Sequence, residues 1–224
     1  MQRFAMPEDY EDRLDEGRRA AAGLPPGPVR DAVDRALAAA PSREVHERAE
    51  ALAAEASALT GALEEAAFDG TDAGRVAWLR LDFTGRLRSL SLSPTIDRLS
   101  NKTVADAIEA AWTAAEAARS EHVLHLERGQ AALLAGRVPD PLGDAIREAL
   151  ARSAGERFAH TTEDDLCSAE VNLEGRLTGL RFLVPNATLD TECEALAACA
   201  ASTIALVQAR AAERLSEVVS NCGV

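Results

Sequence analysis

Residues 81–90, Leu81-Asp82-Phe83-Thr84-Gly85-Arg86-Leu87-Arg88-Ser89-Leu90, recur at residues 171–180 as Val171-Asn172-Leu173-Glu174-Gly175-Arg176-Leu177-Thr178-Gly179-Leu180. Each copy has an apolar segment, a glycine-bearing turn and a second apolar segment. This is the pattern of a β-hairpin, because glycine tolerates the positive φ of tight turns. The match extends backwards without a gap and pairs Phe68 with Phe158. The repeat therefore predicts two similar α+β units in tandem.

The flanking segments predict the same order of elements in both units: a helix, three short strands and a long helix. In the first unit, alternation from Arg75 to Phe83 places Leu79 and Leu81 on one face of a strand and Trp78 and Arg80 on the other. A helical extension, broken by glycines and prolines at residues 23–28, precedes the first unit. The predicted divisions are residues 1–41 for this extension, 42–125 for the first unit and 126–224 for the second.

Both long helices carry an apolar stripe at helical spacing. In the first helix the stripe is Val104, Ala107, Ile108, Ala111, Trp112, Ala115 and Ala118. In the last helix it is Leu196, Ala200, Thr203, Val207, Ala211 and Val218.

The helix that begins after Ser42 has a narrower apolar seam with coiled-coil spacing. Ser42 is a suitable N-cap, because its hydroxyl can accept a bond from the first helical turn. The seam predicts a partner helix, either within the chain or in a second copy. Its members are Val45, Ala49, Leu52, Ala56, Leu59, Leu63 and Ala66.

Composition is that of an ordinary soluble globular protein, with 47% hydrophobic and 27% charged residues. No uninterrupted run of about 18 apolar residues predicts a membrane span. The N-terminal residues have no apolar signal-peptide core, so a cytoplasmic location is expected. The four cysteines form no C-x-x-C pair, which favours small buried residues in a reducing compartment.

Charge is distributed unevenly between the two units, although the whole chain has a net charge of −13, which disfavours tight nucleic-acid binding. From residue 75 to 102 the carboxylates are Asp82 and Asp97, and the cations are Arg75, Arg80, Arg86, Arg88, Arg98 and Lys102. Six cations and two carboxylates give this stretch a charge of +4. In the second unit, Arg176 and Arg181 face five carboxylates: Glu163, Asp164, Asp165, Glu170 and Glu174.

The sequence contains no constellation that predicts catalysis. A phosphate-binding G-x-x-x-x-G-K-[ST] loop is absent, and Lys102 is the only lysine. His122 and His125 could share a metal ion on a helix face, but no third ligand has a predictable position, so a solvated face is favoured. We therefore expect no enzymatic activity, no cofactor and no metal site.

The first unit, over about residues 42–121, resembles the YbaB/EbfC family of bacterial nucleoid-associated proteins. The resemblance depends on the glycine turn of residues 68–74, the Gly85 hairpin, a third strand that ends at Pro94, and the alanine-rich helix that follows. The second unit matches more weakly, over about residues 142–219. The chain departs from the family pattern in its duplication, its N-terminal extension and the loss of basic residues from its second copy.

The resemblance implies a dimeric, cytoplasmic protein that organises the chromosome by binding double-stranded DNA with low sequence specificity. The duplication leaves two arrangements open. Either the chain forms a homodimer, or its two units form an intramolecular pseudo-dimer that mimics the family dimer. The predicted DNA-binding residues are Arg75, Arg80, Arg86, Arg88, Arg98, Lys102, Arg176 and Arg181. Two alternatives stay open: these cations pair with local carboxylates, and the chain is a protein-interaction module of a secretion or regulatory assembly. Trp78 could stack on a base, although a half-buried core position is favoured.

Overall fold

Residues 9–134 and 141–222 are described in the structure, a computed structural model of the chain. They form seven α-helices and two three-stranded antiparallel sheets, so the predicted mixed α+β class is confirmed. Residues 1–8, which entered the prediction of a cytoplasmic location, lie outside the described residues.

The elements follow the predicted order, a helix, three strands and a long helix, twice. The helices are α1 (Tyr10–Ala22), α2 (Pro28–Ala39), α3 (Arg43–Glu65), α4 (Asn101–Leu134), α5 (Pro141–Ser153), α6 (Ala187–Asp190) and α7 (Cys193–Ser220). The strands are β1 (Ala67–Thr71), β2 (Ala77–Asp82), β3 (Leu87–Leu92), β4 (Arg157–Thr161), β5 (Cys167–Asn172) and β6 (Leu177–Phe182). A short 3-10 helix, Ile96–Arg98, precedes α4.

By its contacts the chain divides into two compact units: the first unit of the structure ends at Leu63, and the second unit of the structure begins at Glu64 and includes both predicted repeats. In the first unit α1 packs on α2, and the Tyr10 hydroxyl donates to the Pro41 carbonyl at 3.1 Å. Ser42 caps α3 as predicted, because its Oγ accepts a bond from the Val45 amide at 3.4 Å. No residue of α3 is buried, and Leu59 and Leu63 of its apolar seam are partly buried, so the partner helix stays a prediction. The predicted domain boundaries stay a prediction.

The second unit contains both sheets, and they match residue for residue. Phe68 pairs with Leu81 in the first sheet, and the equivalent Phe158 pairs with Val171 in the second. Each third strand carries one extra residue at the same place, Arg88 in β3 and its equivalent in β6, which forms a β-bulge. The backbone repeats as well: Gly85 has φ 85° and Gly175 has φ 78°, in the left-handed region that favours glycine. These shared irregularities support an internal duplication.

The two halves of this unit are joined by their long helices. We call β1–β3 with α4 the first half, and β4–β6 with α7 the second half. Helix α4 packs on β1 and β2 of its own half and on β6 of the other, whereas α7 packs on β4 and β5 and on β3. Each helix thus covers the third strand of the opposite half, and the buried apolar residues of both halves form one hydrophobic core.

The predicted stripes supply much of this core. On α4, Val104, Ile108 and Trp112 are buried, as are all six predicted residues on α7. Ala118 is the exception on α4, since it is exposed. Glu116, one position past Ala115, is buried instead and accepts a bond from Arg176 of the second half.

Helix α7 has the length and mean hydropathy of a membrane-spanning helix, which the search for an uninterrupted apolar run did not predict. Its most deeply buried side chains, Leu196, Ile204 and Val207, belong to the shared core. The core helix of a soluble protein passes the same test, so composition alone does not assign α7 to a membrane.

Candidate nucleic-acid interface

All eight predicted DNA-binding cations are exposed on the second unit, but they lie on several separate elements. Arg75 and Arg86 occupy the two turns of the first sheet, and Arg176 occupies the hairpin turn of the second sheet. The strands carry Arg80 on β2, Arg88 at the bulge of β3 and Arg181 on β6. Arg98 ends the 3-10 helix, and Lys102 lies in the first turn of α4.

Four of the eight are neutralised by carboxylates. Arg80 donates two bonds to Asp69 on the adjacent strand, at 2.6 and 3.1 Å, and this contact holds the pKa of Asp69 below its usual value. The other three pairs are Arg88–Asp82 at 3.2 Å, Lys102–Asp106 at 2.6 Å and Arg176–Glu116 at 3.1 Å. More than half of each cationic side chain is nevertheless exposed. Arg80–Asp69 and Lys102–Asp106 are exposed on both sides, and such surface pairs contribute only about 0–1 kcal/mol, so a phosphate could replace the carboxylate there at small cost.

The other four cations, Arg75, Arg86, Arg98 and Arg181, form no ion pair with any described residue. Arg75 is held in the left-handed backbone region at φ 54°, in the turn between β1 and β2. Arg86 follows the Gly85 turn, where its amide donates to Asp82 at 3.0 Å and its side chain is left exposed. These four residues are the cations most available to an anionic partner.

Charge still differs between the halves once the neighbouring strands are included. From residue 67 to 106 there are six cations and five carboxylates, which leaves +1. The equivalent residues 157–196 contain three cations and eight carboxylates, which leaves −5. The first half is therefore close to neutral instead of strongly basic, and a phosphate backbone would be attracted locally at individual arginines.

Trp78 lies on the outer face of the first sheet and is 41% exposed. The alternation within β2 was predicted correctly, but the favoured core position was wrong: Trp112 is the core tryptophan, 2% exposed. Trp78 lines a shallow depression with Thr71, Ser89 and Ser91, next to the Arg80–Asp69 pair. In the second sheet the equivalent position is Ser168, so this aromatic surface belongs to the first half alone.

A buried polar cluster at the two glycine turns was missed by sequence reasoning. Glu116 of α4, whose side chain is 7% exposed, accepts bonds from Arg119 at 3.0 Å and from Arg176 of the second half at 3.1 Å. Gln208 of α7, 4% exposed, donates to the carbonyls of Gly85 and Gly175 at 3.0 and 2.8 Å. Glu116 and Gln208 each directly follow a stripe residue, but Thr113 does so too and is exposed, so this position alone does not predict burial.

Two further candidate residues, His122 and Cys167, pack against other side chains of the fold. His122 lies against Phe68, with ring centroids 5.4 Å apart, and no metal-binding group of three ligands is found among the residues that the structure describes. Burial raises the pKa of the Cys167 thiol to about 12, consistent with a buried, unreactive side chain.

Comparisons of the chain with protein-family models, with curated proteins and with solved structures gave no match. The function must therefore be argued from the residues and their geometry.

Proposed function

We propose that the chain is a non-enzymatic, DNA-associated protein of the YbaB/EbfC type, located with the nucleoid in the cytoplasm. In this proposal one polypeptide supplies both halves of the family dimer. The proposal is supported by two equivalent sheet-and-helix halves that pack on each other, in the element order that carries the family resemblance.

The observation that carries the DNA-binding part is the exposure of all eight cations, four of which form no ion pair within residues 9–134 and 141–222. Arginine can form two bonds to a phosphate, and the hairpin turns hold Arg75 and Arg86 on a rigid sheet. Because the first half is nearly neutral and the second is acidic, binding is weak and depends on a few phosphate contacts. Base edges are not read, so sequence specificity is low.

We expect binding to double-stranded DNA that is strongly sensitive to salt. With about four phosphate contacts, raising the salt from about 50 to about 200 mM should weaken the affinity roughly 100-fold. Replacing Arg86 with glutamate should weaken binding to every sequence and reduce the salt slope by about one unit. Fluorescence anisotropy with a labelled duplex at several salt concentrations measures both effects.

The matched control is Arg152→Glu, which makes the same charge change at an exposed arginine of α5 outside the predicted set. It should bind as the wild type does at each salt concentration. Absence of binding at the lowest salt, or equal losses in the two variants, would remove the DNA-binding proposal.

A second candidate function is a protein-interaction module, and a separate observation favours it. Four of the predicted cations are already paired, while Leu183 and Val184, just after β6, and Leu189 of α6 are 36–64% exposed. An exposed apolar group of this kind is typical of protein contacts. A pull-down run with and without nuclease, which compares wild type with Leu189→Asp, separates the two functions. A protein retained only by the wild type supports the module, and nucleic-acid-dependent retention supports DNA binding.

A further inference from the structure

Gln208 connects the two halves of the second unit at their most similar point. Its Nε2 donates to the carbonyl oxygens of Gly85 and Gly175, one in each hairpin turn, and its Oε1 accepts a bond from the Leu87 amide at 3.1 Å. The side chain is 4% exposed, so these bonds are shielded from water. A single amide from the second half therefore satisfies backbone groups of both turns.

Glu116 occupies the equivalent place on α4 and meets the same turn. A Cβ built on Gly85 would lie 3.3 Å from Glu116 Oε1, and Glu116 Oε2 accepts bonds from Arg119 and from Arg176 of the second half. Glu116 follows Ala115 in the stripe of α4 as Gln208 follows Val207 in the stripe of α7. An ionised glutamate can only accept hydrogen bonds, whereas a glutamine can also donate them.

Glu116 and Gln208 therefore supply different groups at the interface, a carboxylate for Arg176 and an amide for the two glycine turns, and a pair of identical halves would lack one of the two. Two first halves would bring two buried glutamates together and leave the Gly85 carbonyls without an amide donor. Two second halves would leave Arg176 without its carboxylate. Buried polar groups without partners and buried like charges are both costly.

We infer that Glu116 and Gln208 determine which surfaces pair: each half recognises the other type of half and rejects a second copy of itself. The position between the glycine turns accepts one carboxylate and one amide. A single polar residue at a buried interface is a known way to specify a partner, because the wrong combination leaves polar groups unsatisfied. This inference is independent of DNA binding.

Two substitutions in the full chain reproduce the rejected combinations. Gln208→Glu creates the glutamate–glutamate combination of two first halves, and Glu116→Gln creates the glutamine–glutamine combination of two second halves. Thermal unfolding at neutral pH should give Gln208→Glu a melting temperature about 5 °C below that of wild type. The melting temperature of Glu116→Gln should fall by less. Ser216→Glu is the control, because Ser216 is an exposed residue of α7 and the substitution adds the same charge as Gln208→Glu. Its melting temperature should stay within about 1 °C of wild type.

The double variant Glu116→Gln/Gln208→Glu is the decisive comparison. It restores one carboxylate and one amide, so it should melt above Gln208→Glu despite carrying an additional substitution. If Gln208→Glu does not fold, recovery of soluble protein in the double variant gives the same answer. Equal or additive losses in the double variant, or a Gln208→Glu protein as stable as wild type, would overturn the inference.

Discussion

Replacing Gly70 with alanine is expected to lower the free energy of unfolding by about 3 kcal/mol, near the upper end for overpacking in a core. Gly70 is the point where β1 lies directly on the backbone of α4. A Cβ at this position would overlap the Ala111 carbonyl oxygen and would lie 2.6 Å from the Ala115 amide nitrogen. Both are backbone atoms in the middle of a helix, so the sheet must move away from α4 to admit one methyl group. Urea denaturation followed by circular dichroism measures the loss.

Gly155→Ala is the matched control for this substitution. A Cβ on Gly155 would meet no atom within 4 Å, and its backbone is outside the left-handed region. Its free energy of unfolding should therefore stay within about 0.5 kcal/mol of wild type. A loss below about 1 kcal/mol for Gly70→Ala would show that β1 and α4 are not in such close contact.

Replacing Trp112 with alanine is expected to cost about 4 kcal/mol, because it removes a large buried ring from the shared core. Trp112 is 2% exposed and lies on α4, which packs on both sheets. The two halves of the second unit should still unfold together, since a cavity in a shared core weakens both halves. Urea denaturation monitored by far-UV circular dichroism measures the change.

The second tryptophan of the chain is the control. Trp78 has 41% of its surface exposed on the outer face of the first sheet, so Trp78→Ala should cost less than about 1 kcal/mol. Equal losses for the two substitutions, or separate unfolding of the two halves in Trp112→Ala, would contradict the shared core.

Local features of this fold could be predicted from the sequence because they depend on neighbouring residues. The glycine turns, the alternation of β2 and the stripes of α4 and α7 were all visible as short-range patterns. Two ion pairs were within reach of the same reasoning. Lys102 and Asp106 are four apart on a helix, and Asp69 lies opposite Arg80 once the strands are paired.

Contacts between the halves could not be predicted, because they depend on how distant segments pack. The crossing of α4 to β6 decides that Glu116 meets Arg176 and that Ala118 is left in solvent. The charge of +4 counted over residues 75–102 overestimated the positive charge of the predicted interface, since Asp69, Asp72 and Asp106 lie just outside that stretch and two of them pair with Arg80 and Lys102. The orientation of Trp78 followed from the alternation of β2, but the exposure of 41% of its surface could not be predicted from that alternation.

Native-state hydrogen exchange tests the central claim, that two copies of one module share a single core, most directly. The amides to follow are those of β2 and β5, the central strands of the two sheets. We expect both sets to exchange through one opening reaction with the same free energy, and both to lose protection together in Trp112→Ala. Protection lost from β2 while β5 stays protected would contradict the account, because it would show that the two halves open independently.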